Sequence, residues 1–304
     1  MKHLTTFRLI DTVAQTKSIR KAAETAAITP SALLRRIQGF EDELGEPIFE
    51  RLSDGVRLNA AGELVIDHIR KQVAETDKLR SRLGDLSGVR SGHVSIAWSQ
   101  ALTFDFLPKE VNKYLTQYPD VTFDIQVLDH SAAEKALLDY SVDLAFIFDP
   151  NHIPEFQVTI AVQQQLSVLM SKNHPLAEKE TLRLNACMDY PWALPSKIYG
   201  GRVMLERALA FSSHQPDVKI QSNSFEFLKN YVRYSDALSF QIPIGLHEET
   251  LSGDLRLRQI DTKDLSPSLL FFGQRAGRTL PVASARFADQ VIKSLAQLYP
   301  LAGS

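Results

Sequence analysis

The sequence predicts an amino-terminal all-α winged helix-turn-helix that continues into one long linker helix, followed by an α/β domain. Three observations predict it. Residues 18–44 hold two hydroxyl-capped helix starts in close succession, at Ser18 and at Thr29-Pro30. Residues 60–86 read as one long apolar repeat. Beyond a glycine- and serine-rich stretch near residue 88, strand-like and helix-like segments alternate to the end of the chain.

From Leu4 to Ala14 the apolar residues Leu4, Phe7, Ile10 and Ala14 recur at the helical steps of three and four. Ser18 then offers an N-cap to a short alanine-rich helix, Ile19 to Ala26, where small Ala22 and Ala23 let another helix cross closely. Thr29 is a second N-cap, and Pro30 takes the first helical position, where its missing N–H is not needed. Neither cap has Glu or Gln three residues on, so neither is a full capping box. This third helix runs to about Leu44, with Leu33, Ile37, Phe40 and Leu44 as its buried stripe and Gly45 as a left-handed end. Its other face carries Ser31, Leu34, Arg35 and Gln38, with Arg36 at the edge. Pro47-Ile48-Phe49 is extended, and Asp54-Gly55 reads as a hairpin turn between Arg51 and Arg57, forming the wing.

From Ala60 to Leu86, Val65, Ile69, Gln72, Thr76, Leu79, Leu83 and Leu86 alternate steps of four and three, a heptad seam with a polar middle. At 1.5 Å per residue the helix spans about 40 Å. Such a seam pairs with a second copy of the chain; the alternative is one amphipathic helix packed on its own domain. Gly84, Gly88 and Gly92, with Ser87 and Ser91, mark a hinge.

Strand-like segments follow at His93–Trp98, Val121–Val127, Leu144–Phe148, Leu166–Met170, Val218–Gln221, Ala237–Phe240 and Leu269–Phe272. Between them, helices are expected at Leu107–Leu115, Ala132–Leu138, Val203–Phe211 and Phe225–Tyr234, with Ala283–Leu298 closing the chain.

The 304 residues are 44% hydrophobic and 23% charged, ordinary globular composition with material for about two domains. The net charge is -2, so any nucleic-acid affinity must come from a local patch. One cysteine, Cys187, excludes an internal disulfide and reads as a buried small apolar residue in a reducing compartment. Arg8 and Asp11 break up the amino terminus, so no signal-peptide core forms. No run approaches eighteen apolar residues, so no membrane partner is expected and the chain is expected to be cytoplasmic. No cofactor or metal is expected.

A helix in the major groove needs a rigid partner helix, side chains that reach base edges, and basic groups for phosphates. Residues 18–44 supply all three. Ser18, Arg20 and Lys21 start the supporting helix, where hydroxyl, N–H and cation can grip phosphate. Thr29, Pro30, Ser31, Leu34, Arg35, Arg36 and Gln38 belong to the recognition helix; Arg35 suits guanine and Leu34 a thymine methyl. Arg51 and Arg57 flank the wing and face backbone or minor groove.

The run Ser18, Ala22-Ala23, Thr29-Pro30-Ser31-Ala32, Ile37, Glu41, Leu44-Gly45, Pro47, Phe49, Arg51, Leu58 and Gly62 resembles the amino-terminal signature of LysR-type transcriptional regulators, without a gap over about sixty residues. Pro119-Asp120-Val121, Asp143-Leu144-Ala145 and His174-Pro175-Leu176-Ala177 resemble that family's distal region. The chain departs from it at Leu34 (usually Ser), Phe40 (usually Leu) and Asn59 (usually Thr). Residues 232–238 also lack the family's glycine-rich segment.

The resemblance implies a regulator of transcription that binds double-stranded DNA at an operator and answers to a small-molecule effector. It implies residues 1–59 as the DNA-binding domain, 60–90 as linker helix and hinge, and 91–304 as the effector domain. The last would comprise two subdomains like those of periplasmic binding proteins, about 91–161 with 268–304 and about 162–267. A homodimer or homotetramer would form through the linker helix and effector domain, with RNA polymerase as a further partner. The cleft would draw on strand ends and helix starts: Ser99, Gln100, Thr103, Phe148, Ser196, Tyr199, Gly200, Gly201, Arg202, Gln241 and Pro243. A small anion held by Ser99, Thr103 and Arg202 is the expectation.

Two other function classes are opposed by the residues. A plain solute-binding protein needs a secretion signal and has no use for Thr29-Pro30 through Arg57. An enzyme would show a nucleophile elbow, an H-E-x-x-H pair or a phosphate loop, and the eight histidines are scattered instead.

Overall fold

The structure, a computed structural model, describes residues 2–86, 91–148, 154–210, 215–246 and 253–301. It divides into two units, Met1–Ser87 and Gly88–Ser304.

The first unit holds helices α1 (Lys2–Thr16), α2 (Ile19–Thr25) and α3 (Pro30–Leu44), strands β1 (Phe49–Leu52) and β2 (Gly55–Leu58), and helix α4 (Ala60–Leu86). Both expected caps form: Ser18 Oγ accepts from the Lys21 N–H at 3.4 Å and Thr29 Oγ1 from the Ala32 N–H at 3.2 Å. Gly45 ends α3 at φ 82°. Ala22 and Ala23 are fully buried with Ile10, Val13, Leu33 and Ile37, so α2 and α3 share one small core. Phe40 packs edge-on against Phe7, ring centres 5.7 Å apart, which gives the larger residue a partner on α1. Leu44 is 43% exposed, so the buried stripe of α3 stops a turn earlier than its periodicity predicts.

One signature residue, Glu41, and one departure from the signature, Asn59, have visible work. Glu41 Oε1 accepts from the N–H groups of Ile48 (2.7 Å) and Phe49 (3.3 Å), pinning the extended segment to α3. Asn59 does what a threonine cap would and more: Oδ1 accepts from the Gly62 N–H and Nδ2 donates to the Pro47 carbonyl, both at 2.8 Å.

The wing corrects the expected turn. Leu52 pairs with Gly55, so the two-residue loop is Ser53-Asp54 and not Asp54-Gly55. A side chain at Gly55 would place its Cβ 2.4 Å from the Lys17 carbonyl oxygen, which already accepts from the Val56 N–H at 3.0 Å. The glycine serves docking of the hairpin on Lys17.

Helix α4 has the expected bounds, but its seam splits in two. Ile69 is fully buried and Val65 partly buried in the unit's own core, beside Ile66. Asp11–Arg70 and Arg8–Asp77 ion pairs, each 2.7 Å, fasten the helix to α1. Leu79 and Leu83 are 56% and 55% exposed, and Gln72 is exposed. The start of the stripe, Val65 and Ile69, is therefore intramolecular, whereas Gln72, Leu79 and Leu83 are open. Gly84 lies inside α4 and Gly92 opens the next strand; residues 87–90 of the expected hinge lie outside the described residues.

The second unit begins with β3 (Gly92–Trp98), α5 (Phe106–Gln117), β4 (Val121–Val127), α6 (His130–Leu138), β5 (Leu144–Phe148) and β6 (Phe156–Gln164). Next come β7 (Ser167–Ser171), β8 (Thr181–Leu182), α7 (Leu184–Cys187), β9 (Trp192–Pro195), α8 (Gly200–Leu209), β10 (Val218–Ser222), α9 (Phe225–Arg233), β11 (Ser239–Gln241) and β12 (Leu255–Ile260). It closes with β13 (Ser268–Arg275) and α10 (Val282–Leu298). One lobe is built on the sheet β4-β3-β5-β13-β6, parallel from β4 to β5 and antiparallel beyond. The other is built on β11-β7-β12-β8 with the parallel pair β10-β9. The chain crosses between lobes twice, after Gln164 and after Ile260.

Strands β3, β5 and β7 run almost wholly buried, as their apolar runs predict. β6, β8, β9, β12 and α7 have no counterpart among the expected segments. Arginines alternate through β12, and Gln residues end β6, so neither presents a simple apolar run. Helix α8 starts at Gly200, three residues before the expected Val203; Phe211 lies outside the described residues.

The His174-Pro175-Leu176-Ala177 turn is a buried joint. His174 Nδ1 accepts from the Leu176 N–H at 3.1 Å, so Nε2 bears the proton and donates to the Asp236 carbonyl at 3.2 Å. Burial holds this imidazole below its usual 6.5, against smaller opposing effects of the Asp236 carbonyl and charge. The unfolded chain then takes up this proton first as pH falls. Stability is full above about 6.5 and is lost as pH drops below it. Thermal unfolding between pH 8 and 5 is expected to show a midpoint falling only on the acid side, with a shallower fall in His174→Gln.

Candidate functional site

Two groups of residues matter, one in each unit. In the first, Ala22 and Ala23 of α2 pack in one core with Leu33 and Ile37 of α3, and the predicted contact residues lie on or beside the uncovered surface. Arg20, Lys21, Thr29, Pro30, Ser31, Arg35, Arg36, Gln38, Arg51 and Arg57 are exposed; Ser18 and Leu34 are half-buried. The cations differ in their partners. Arg20 pairs with Glu24 at 3.2 Å, one turn along α2, and Arg57 pairs with Glu50 across the wing. No carboxylate among the described residues pairs with Lys21, Arg35, Arg36 or Arg51. The unit thus presents uncompensated positive charge on the recognition helix, its support and its wing, although the chain as a whole is slightly acidic.

In the second unit, a narrow cavity lies where the lobes meet. Ser99, Phe148, Tyr199, Gly200, Arg202 and Gln241 line it, with Gly201, Phe225, Phe240 and Ile242. Its free volume is about 20 Å³, the room of roughly one water. The reason is Phe148, whose ring lies directly on the backbone of Gly200; a Cβ there would fall 2.2 Å from Cδ1 of the ring.

Four expected residues do other things. Gln100 straps the lobes together, its Oε1 accepting from the Phe225 N–H at 2.8 Å. Thr103 lies off the cavity with its hydroxyl buried and unpartnered. Ser196 donates its N–H to the Ser222 carbonyl at 2.9 Å, within the second lobe. Pro243 opens a 3-10 turn and borders a separate, open hollow of about 490 Å³ with Ser167, Arg258 and Tyr299. Arg202 is also corrected as a free anion anchor. It is 6% exposed, and its guanidinium is engaged by Glu206 (Nε to Oε1 2.7 Å) and the Pro195 carbonyl (3.2 Å).

Sequence reading missed the mouth of this cleft. A second cavity of about 350 Å³ shares Phe148 and Gly200 and is otherwise lined by Asp129, His130, Ser131, Ile198, Val203 and Arg207. Asp129 is the N-cap of α6, accepting from the Ala132 N–H at 2.9 Å, and an Asp at a helix start was the available signal. Burial, with a smaller push from Asp129, raises the Tyr199 phenol above its usual range, so it stays protonated at neutral pH.

Two family models match the chain. Residues 4–63 match the bacterial regulatory helix-turn-helix protein of the lysR family, and residues 87–296 match the LysR substrate binding domain. The HTH-type transcriptional activator CmpR of Synechocystis sp. is 22% identical over 298 residues, 96% of this chain and 97% of that protein. A full-length OxyR variant from Pseudomonas aeruginosa superposes with a TM-score of 0.71 at 19% identity, covering 99% of this chain and 98% of that one. The regulatory domain of Synechocystis CcmR, in complex with 2-PG, gives a TM-score of 0.59 at 18% identity over 68% of this chain and 98% of that domain. The relatives named here are regulators rather than enzymes, and among the described residues no helix is long and apolar enough to cross a membrane. With a helix-turn-helix reader in its first unit and a two-lobed substrate-binding fold in its second, this chain belongs to the LysR family of transcriptional regulators.

Proposed function

We propose that this regulator reads an operator with α3 and grips the flanking phosphates with α2 and the wing, and that a small anionic effector bound between the two lobes modulates it. The observation that carries the DNA reading is the set of uncompensated cations Lys21, Arg35, Arg36 and Arg51 in an otherwise slightly acidic chain. Support for the effector reading is the closed cleft itself, together with the 2-PG complex of the CcmR domain. The exposed Leu79 and Leu83 on the later half of α4 support pairing of two copies there, as dimer or tetramer.

A mobility-shift titration on the DNA upstream of the chain's own gene tests the first part. Specific retardation is expected, weakening steeply between 50 and 200 mM salt as phosphate contacts release counterions (roughly 10³-fold for six contacts). Equal affinity for a scrambled duplex would sink it. A small-molecule panel added to the same assay tests the second part.

The cysteine separates this chain from thiol-based sensing. Cys187 is fully buried on α7, and burial, with a smaller push from Asp264, raises its thiol to about 12. Iodoacetamide is expected to leave the folded protein unlabelled and to label it in urea, as read by intact mass. Operator binding of Cys187→Ala is expected to match wild type with or without peroxide.

A further inference from the structure

We infer that the inner end of the cleft is a seat for a single carboxylate, so the effector is a small monocarboxylic acid rather than a dicarboxylate or a phosphate ester. This rests on the effector reading above and narrows its chemistry.

Helix α8 has ten residues, and its N-cap, Tyr199, offers no side-chain hydrogen bond. The first N–H groups of a helix have no acceptor within it, and its positive end favours an anion. Here those groups belong to Gly200 and Gly201, and both residues line the inner cavity. Gln241 lines the same cavity, is 2% exposed, and keeps Nε2 buried without a partner. An orphaned buried donor is costly unless something accepts from it. Ser99 Oγ accepts from the Ala101 N–H at 3.4 Å, which leaves its own proton to donate. Among the described residues no carboxylate lines this cavity, whose remaining walls include the rings of Phe148, Phe225 and Phe240. Arg202 adds no free charge because Glu206 neutralises it. Neutral donors at a helix end suit one negative charge inside an apolar wall.

The outer cavity sets the other end. Asp129 Oδ1 caps α6, and no cation among the described residues is ion-paired with this carboxylate. Arg207 shares the cavity, so the outer end carries one charge of each sign and offers a second anion no net attraction. A hydroxyl there can donate to Asp129. Seating any ligand requires the Phe148 ring to leave Gly200, since the free volume admits about one water.

The test is amide-resolved NMR on the full-length protein, wild type and Phe148→Ala, titrated with acetate, methylammonium, succinate and inorganic phosphate. Acetate is expected to shift the Gly200, Gly201 and Gln241 amide signals saturably, and to bind about tenfold tighter once Phe148 no longer fills the site. Methylammonium should leave them in place. Gln241→Met keeps the volume without the donor and is expected to weaken acetate about fivefold. Asp129→Asn should strengthen succinate about threefold while leaving acetate within about twofold. Shifts that never saturate, indifference to Gln241→Met, or phosphate binding as tightly as acetate would each overturn the seat. If acetate fails while some metabolite still alters operator binding, the seat falls and the effector reading stands. If acetate seats and no small molecule alters operator binding, the effector reading falls alone.

Discussion

Replacing Asp143 with alanine is expected to destabilise the second unit by about 3–5 kcal/mol, the usual cost of leaving one member of a buried ion pair unpartnered. Asp143 directly precedes β5 and is buried between β3, α10 and the turn that follows β13. Its Oδ1 pairs with Arg278, and its Oδ2 accepts from Ser284 Oγ of α10 at 2.6 Å and from the Ser95 N–H of β3 at 3.5 Å. The Asp143 N–H donates to Ser95 Oγ at 3.0 Å. Arg278, equally buried, also donates to the Val142 carbonyl at 2.8 Å. Removing the carboxylate leaves the largely buried Arg278 guanidinium without its counter-charge, and Ser284 without this acceptor. Urea unfolding followed by Trp98 and Trp192 fluorescence measures the loss. The double variant Asp143→Ala/Arg278→Met is expected to recover most of it, because an apolar pair of similar volume often replaces a buried ion pair at little cost. A single-variant loss under about 1 kcal/mol would mean that the pair is screened and positional only.

Arg35→Ala is expected to weaken operator binding about 10- to 100-fold without lowering the melting temperature. The size follows from a bidentate base contact, worth about 1–3 kcal/mol of discrimination. Stability should hold because Arg35 is exposed and makes no ion pair among the described residues, while Leu33 and Ile37 carry the core side of α3. Fluorescence anisotropy on operator and on a scrambled duplex, across a salt series, separates two mechanisms. Loss confined to the operator marks a base contact. Equal loss on both, with a salt slope shallower by about one, marks a phosphate contact. Leu34, half-buried beside Arg35, stands where the family usually has Ser, so the base preference on that turn is expected to differ from the family's.

The first unit was legible almost residue by residue, because local chemistry decides it. Ser18, Thr29-Pro30 and Gly45 each fix a helix end through hydrogen bonds within three or four residues, and Ala22 and Ala23 can be buried only against another helix. The bounds of α4 and of β4 and β5 were equally plain, since long periodic or wholly apolar runs have one stable reading.

Tertiary structure decided what depends on partners distant in sequence. One apolar stripe on α4 gave no sign of how much of it α1 would cover; the Arg8–Asp77 and Asp11–Arg70 pairs fasten the two helices across more than fifty residues of chain. The cleft was half legible. Ser99, Phe148, Tyr199, Gly200 and Gln241 stand at strand ends and helix starts, where free N–H groups collect, so local reasoning found them. Asp129, Ile198 and Arg207 reach the same opening only because the chain crosses twice between two sheets. Arg202 shows the limit most clearly. Its place near a helix start predicted an anion anchor, but one turn further along the same helix Glu206 already occupies the guanidinium, and the residues left with unspent donors are the neutral Gln241 and two glycines.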